Sequence, residues 1–196
     1  MSSKNEILAR IRRQSLPDSP LPSLQGEWIR FADRESQFIS VVQAVGGQAR
    51  VVSGDAELAE AVRALPVLVD AKQIVCAVPG LDLGTYDEQA VDDPHSLADV
   101  DVAIVPGEFA VAENGAVWIA GRGIRHRAIY FLTQHLVIVT PRVKLLDHMH
   151  EAYERLKFEQ PSYGVFISGP SKTADIEQSL VIGAHGPRSL NVFLLG

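Results

Sequence analysis

The sequence predicts an α/β domain with a mixed, largely parallel sheet flanked by helices, and three observations carry that prediction. Short apolar runs alternate with helix-period segments toward both ends of the chain. The stretch from Tyr163 to Leu195 reads as strand, tight polar loop, helix, tight polar loop, strand, the βαβ unit of a parallel sheet. Between the ends, Phe109–Ala112 and Ala116–Ala120 bracket Glu113-Asn114-Gly115, whose Asn-Gly step favours a type I′ hairpin and hence an antiparallel insert.

Taken in order, residues 4–14 suggest a short helix with Ile7, Leu8 and Ile11 on one face. Ser15–Ser23 holds three prolines in nine residues and reads as an extended linker. Residues 1–24 are thus an arm, which either docks on a partner or second copy or frays, and 25–196 the domain. Arg34–Val45 reads as a helix closed by Gly46-Gly47, and Ala49–Ser53 as a strand. Ser53 or Asp55 would cap a helix carrying Leu58, Val62 and Leu65, stopped at Pro66. Ile74–Val78 and Asp101–Val105 are short strands, separated by a Gly-, Asp- and Pro-rich loop over 79–99. Ala128–Leu132 and Leu136–Thr140 read as two further strands, and Lys144–Leu156 as a long helix before the terminal unit.

At 196 residues one domain with a sizeable core is expected, and 46% apolar residues is ordinary for a globular chain. No apolar run reaches transmembrane length, and the charged first fifteen residues lack a signal-peptide core, so a cytoplasmic location is expected. A net charge of -6 argues against general nucleic-acid binding. The single cysteine, Cys76, sits in an apolar run and reads as a small buried hydrophobe. One thiol holds neither an iron–sulfur cluster nor a zinc finger, so redox metal chemistry would have to belong to other chains.

Several clusters allow chemistry. Ser168-Gly169-Pro170-Ser171-Lys172-Thr173-Ala174-Asp175 combines a permissive glycine, two capping hydroxyls (Ser171, Thr173) and the Lys172 charge, which suits a carboxylate or phosphate. The same residues also make a plain helix cap, with Asp175 and Glu177 favouring the helix dipole. His185, at the turn Ala184-His-Gly-Pro-Arg188, should lie at the opposite sheet edge from Ser171 if the unit is parallel. The loop Gly121–Arg127 gathers Arg122, Arg125 and Arg127 beside two glycines, either an anion or partner contact or a solvated basic loop. Asp147-His148-Met149-His150-Glu151 puts two histidines at i,i+2, where helical rings diverge, so metal binding is not expected. Trp28 and Trp118 should fill core or interface space.

The loop Ser168–Glu177, followed by Gly183-Ala-His-Gly-Pro187, resembles the signature of the lactate-utilization protein C family (LutC, the LUD domain). Gly107-Glu-Phe-Ala-Val-Ala-Glu-Asn-Gly-Ala-Val-Trp-Ile119 resembles its other recognisable segment. Where relatives carry Thr-Gly-Thr, this chain has Asn114-Gly115-Ala116. The resemblance implies the sugar-phosphate isomerase and CoA-transferase type of fold (NagB/RpiA/CoA-transferase-like). It also implies a subunit of a cytoplasmic L-lactate oxidation system whose iron–sulfur clusters sit in partner subunits, this chain itself binding no cofactor. Residues Ser168, Gly169, Ser171, Lys172, Thr173, Asp175, His185, Arg122 and Arg125 would then form a small-anion site or docking surface. Glu113-Asn114-Gly115 also resembles the step that supplies the carboxylate nucleophile of CoA-transferases, which gives an alternative acyl-transfer reading with Glu113 as nucleophile. The plain reading of the same residues is a hairpin tip with a solvated glutamate. A small-anion sensor is the third reading.

Overall fold

The computed structural model describes residues 3–13, 19–20, 22–156, 163–176 and 179–196, the side chains at 174–180 excepted. Most of the Ser15–Ser23 linker, the Asp175 side chain and Glu177 therefore lie outside the described residues.

Five parallel strands form the main sheet, in the order β1 (Gln48–Val52), β11 (Ser189–Leu195), β6 (His135–Pro141), β3 (Val102–Pro106) and β2 (Ile74–Cys76). The three central strands are near-continuous apolar runs because both of their faces are buried. Their side chains divide by the period of two. Ala103, Val105, Leu136, Ile138, Val192 and Leu194 share one core with Phe38 and Val42 of helix α2 (Arg34–Ala44). Val102, Ile104, Val137, Val139 and Phe193 share the opposite core with Leu58 and Val62 of helix α3 (Asp55–Arg63). Helix α2 starts at Asp33, whose carboxylate accepts the Ser36 N–H at 3.0 Å. Helix α3 uses neither expected cap. Gly54 takes the N-cap, and Glu57 reaches back to accept the Ser53 N–H at 2.7 Å.

A second sheet, in the order β7 (Leu145–Leu146), β4 (Phe109–Val111), β5 (Ala116–Ala120) and β8 (Gly164–Ile167), leans on the first. Ala110, Val117, Ile119 and Leu145 join the α2-side core, while Phe109, Trp118, Leu146 and Phe166 face a third cluster with Ala152 of helix α6 (Met149–Arg155). The antiparallel insert is therefore present, but its turn is not the two-residue type. Val111 pairs Ala116, and the Gly115 N–H donates to the Val111 carbonyl at 3.0 Å, leaving a four-residue turn over 112–115.

Four other expectations are corrected. No helix follows Ser171: β9 (Lys172–Ile176) and β10 (Ser179–Ile182) form an antiparallel hairpin. The β-branched Thr173, Ile176, Val181 and Ile182 suit pleated backbone, and this outweighs the helix-like spacing of Ile176 and Leu180. The terminal βαβ unit therefore does not exist, since β8 pairs antiparallel with β5 in the second sheet while β11 lies inside the first. The predicted strand at Ala128–Leu132 is a short helix, α5 (Ile129–Leu132), for a run so short carries no decisive period. The predicted long helix at Lys144–Leu156 begins only at Met149, because Leu145 and Leu146 are taken by β7 and His148 caps the start. Helix α1 (Ser3–Arg13) forms as expected and buries none of its residues. A further short helix, α4 (Pro66–Val69), carries Pro66 in its first turn. No helix among the described residues is long and apolar enough to cross a membrane.

Two titratable groups report on this packing. Burial pushes the Cys76 thiol above its ordinary range, and its Sγ lies 3.0 Å from the Leu81 carbonyl. His135 opens β6 with Nδ1 2.8 Å from Ser189 Oγ, and burial, aided by Arg188, depresses its pKa below 6.5. The unfolded chain therefore takes up this proton first. His135 stabilises the fold fully above about pH 6.5, and that contribution is lost as pH falls through 6.5 toward the folded value. Urea unfolding at about pH 7.5 and about pH 5.5, on either side of the ordinary histidine pKa, should show a smaller pH loss for His135→Asn than for the wild type.

Candidate functional site

The two sequence-distant signature segments meet. Gly169 (φ +75°) carries the chain past the end of α2, where a Cβ would lie 2.8 Å from the Val45 carbonyl oxygen. This close pass brings Ser168 Oγ to donate to the Asn114 carbonyl at 2.7 Å, tying the loop to the β4–β5 turn. Ser171 is held at both ends of the Gly183–Arg188 turn: its N–H donates to Pro187 O, and its carbonyl accepts the Gly183 N–H, each at 2.9 Å. Gly186 lies so close that a Cβ would sit 2.9 Å from Ser171 Cβ. His185 and Ser171, expected at opposite edges, thus line one cleft. The reason is the β9–β10 hairpin, which returns the chain to its starting point where a helix would have carried it across the sheet.

The cleft holds about 240 Å³. Ser168, Ser171 and His185 supply polar groups; Tyr130, Phe131 and Leu136 are among the apolar walls. Leu136 and Leu190 are the second residues of β6 and β11, so the opening lies at the N-terminal ends of the central strands. Open α/β sheets more often bind ligands at the other edge. Tyr130 is fully buried, its hydroxyl has no hydrogen-bond partner among the described residues, and burial raises its pKa to about 12, with Tyr163 adding and Arg127 opposing. The phenol is therefore neutral at physiological pH. An apolar run in the sequence gave no signal for it.

The other candidates lie elsewhere. Lys172 runs its stem over Gly46, and Thr173 is paired within the hairpin. Arg125 staples the 79–99 segment, donating to Gln89 O at 2.7 Å and Asp92 at 2.8 Å, while Arg122 Nε lies 3.8 Å from Glu108. Beneath that staple Glu88, buried and missed in the sequence, accepts the N–H groups of Arg125 and His126. Arg127 lies over the Tyr163 ring. Glu113 is exposed at the turn, and its carboxylate accepts the Met149 N–H at 2.8 Å.

Near Glu113 a second polar knot appears. Buried Asp147 accepts the Phe31 N–H at 3.0 Å and Arg30 Nη1 at 3.3 Å, and Arg30 also reaches Glu151. Trp28 stacks on His150 with 3.5 Å between ring centroids, so residues 28–31 strap the start of α6. His148 caps that helix through Nδ1, which accepts the Glu151 N–H at 3.3 Å. No group of three or more His, Cys, Asp or Glu among the described residues is placed to hold a metal. Because Arg30 and Arg34 are largely solvated, the loss in Asp147→Ala comes mainly from the orphaned Phe31 N–H, roughly 1–2 kcal/mol. The expected companion signal is red-shifted tryptophan emission as Trp28 leaves His150.

A wider cleft of about 540 Å³ lies at the C-terminal ends of β6 and β11, beside the start of α2. Its cations are already engaged. Arg142 Nε lies 2.5 Å from Glu35, and Arg34 donates to the Leu145 carbonyl at 3.1 Å.

This architecture, a parallel sheet with a mixed second sheet and a hairpin rooted at its N-terminal edge, defines an α/β domain whose signature segments share a cleft. A crystal structure of a DUF162 family protein from Deinococcus radiodurans shares the fold, with a TM-score of 0.63 and 19% identity over 83% of this chain and 96% of that one. The chain belongs to the LUD domain family, whose model matches residues 85–195. A lactate utilization protein C from Geobacillus thermodenitrificans is 32% identical over 156 residues, 74% of this chain and 62% of the relative. Another from Geobacillus kaustophilus is 37% identical over 93 residues, 44% of this chain and 38% of the relative. The chain thus spans less than two thirds of the length of either relative.

Proposed function

We propose that this chain works in a lactate-utilization system, with the signature cleft taking a small carboxylate and iron–sulfur partner subunits carrying the electrons. One observation carries the reading: Ser168 and Ser171 of one loop and His185 of another line a single cleft of about 240 Å³, with Tyr130 in its wall. That volume suits a ligand of a few carbons, below the usual range for drug-sized sites. Hydroxyl and imidazole groups set among apolar walls suit one carboxylate and one hydroxyl on a small carbon frame. The chain's part is to bind and orient; oxidation would occur on clusters supplied by other chains.

The acyl-transfer reading draws less support, because the Glu113 carboxylate already serves the α6 N-terminus. Lactate-dependent dye reduction by co-expressed iron–sulfur partner subunits, with and without this chain, tests the proposal. Activity that requires the chain supports it. Activity unchanged in its absence removes the chain from lactate oxidation.

A further inference from the structure

We infer that helix α1 is a docking element, and that it seats on a second copy of this chain, against the face formed by α5 and the acidic segment beside it. This inference does not rest on the lactate reading.

Helix α1 has no support of its own. None of its eleven residues is buried, and Ile7, Leu8 and Ile11 are 58%, 38% and 60% exposed. Isolated helices shorter than about 12–15 residues are marginal in water, so an apolar stripe on so short a helix calls for a surface to cover it. Arg10, three residues after Ile7, and Arg12, four after Leu8, flank that stripe on either side. The docking face is therefore apolar in the middle and cationic at both rims.

Charge selects the partner. Of the chain's 18 Lys and Arg, four lie in α1; of its 24 Asp and Glu, only Glu6 does, which leaves 14 cations against 23 acids in the remainder. The body of the protein is thus a strongly acidic object for a basic helix. Within it, the segment from Pro79 to Asp101 contains no Lys or Arg and exposes Asp82, Asp87, Asp92, Asp93 and Asp99. A 3₁₀ helix within it, Pro94–Asp99, packs on α5, whose Phe131 and Leu132 are 44% and 37% exposed. Apolar side chains beside exposed aspartates match an apolar stripe rimmed by arginines. Reciprocal docking of two arms gives a closed two-fold dimer with the same contact made twice.

The test is sedimentation velocity on the full chain at tens of micromolar, with Ile7→Asp/Ile11→Asp as the helix variant and Leu132→Asp as the face variant. The wild type should dimerise, more weakly as salt rises. Each variant should weaken the dimer by roughly 30-fold or more, as expected for losing a hot-spot contact, while midpoints measured on dilute, monomeric protein stay unchanged. Mixing the two variants should restore a heterodimer, since the intact helix of one meets the intact face of the other. A monomeric wild type overturns the inference, whether α1 folds onto its own body or the chain pellets with anionic vesicles. A dimer untouched by either variant overturns it as well.

Discussion

Gly107→Ala is expected to lose about 3 kcal/mol, the upper end of the usual cost of overpacking. Gly107 stands where the chain leaves β3 of the main sheet and enters β4 of the second, and its N–H donates to the Val139 carbonyl at 2.7 Å. A Cβ there would lie 2.5 Å from Val117 Cγ1, 3.0 Å from Ile138 Cγ2 and 3.2 Å from Thr140 Cβ. These atoms belong to three buried strand residues, none of them the tip of a flexible side chain, so the sheets themselves would have to separate. For a chain of this size the thermal midpoint should fall by roughly 6–12 °C. Gly54→Ala is the control, because nothing lies within 4 Å of its Cβ position and its φ of 166° is extended backbone open to any residue. Equal midpoints for the two variants would mean that the sheets do not meet as described.

Gly186→Ala should act on function with little effect on the fold. The added methyl would press on Ser171 Cβ at 2.9 Å and Oγ at 3.0 Å, in a loop at the sheet edge and not between the sheets. Moving Ser171 also strains its bonds to Pro187 O and the Gly183 N–H, the pair that shapes the cleft. A misplacement near 1 Å costs on the order of 100-fold in a well-positioned site, so lactate-dependent dye reduction should fall at least roughly tenfold. Ser171→Ala, which keeps the backbone bonds, should lose less if the hydroxyl only orients the ligand. An undiminished rate in Gly186→Ala would place the working surface away from this cleft.

Much of the fold was legible because burial on two faces leaves a plain mark. The runs at 102–106, 135–141 and 189–195 are predominantly apolar, as strands buried on both faces are. Helix α2 was equally clear, closed by Gly46-Gly47, although its Asp33 cap emerged only in the structure. The hairpin at 172–182 was not. Its Ile176, Leu180 and Val181 fit a helical face, and the pairing of β9 with β10, together with the β-branched residues, decides for strands. That single error carried the site with it: a helix would have separated Ser171 from His185, and the hairpin joins them. The residues of the motif were readable as residue types, whereas their convergence was not. Tyr130, Glu88 and Asp147 matter through burial, which a lone polar residue in a sequence does not announce.

The arginine loop shows the same limit from the other side. Three guanidinium groups within six residues suggest an anion site, yet Arg125 is spent on Gln89 and Asp92 and Arg127 on Tyr163. Their partners come from the 79–99 segment and from Tyr163, too far along the chain for local pattern to reveal.

On the proposed function, the signature segments form a ligand site. The most direct test is a titration of L-lactate into the isotope-labelled protein, followed by backbone amide resonances. Saturable shifts centred on Ser168, Ser171, His185 and Gly186, and lost in Gly186→Ala, are the expected result. Saturable shifts confined to Arg34 and Arg142, or none at any concentration reached, would contradict it.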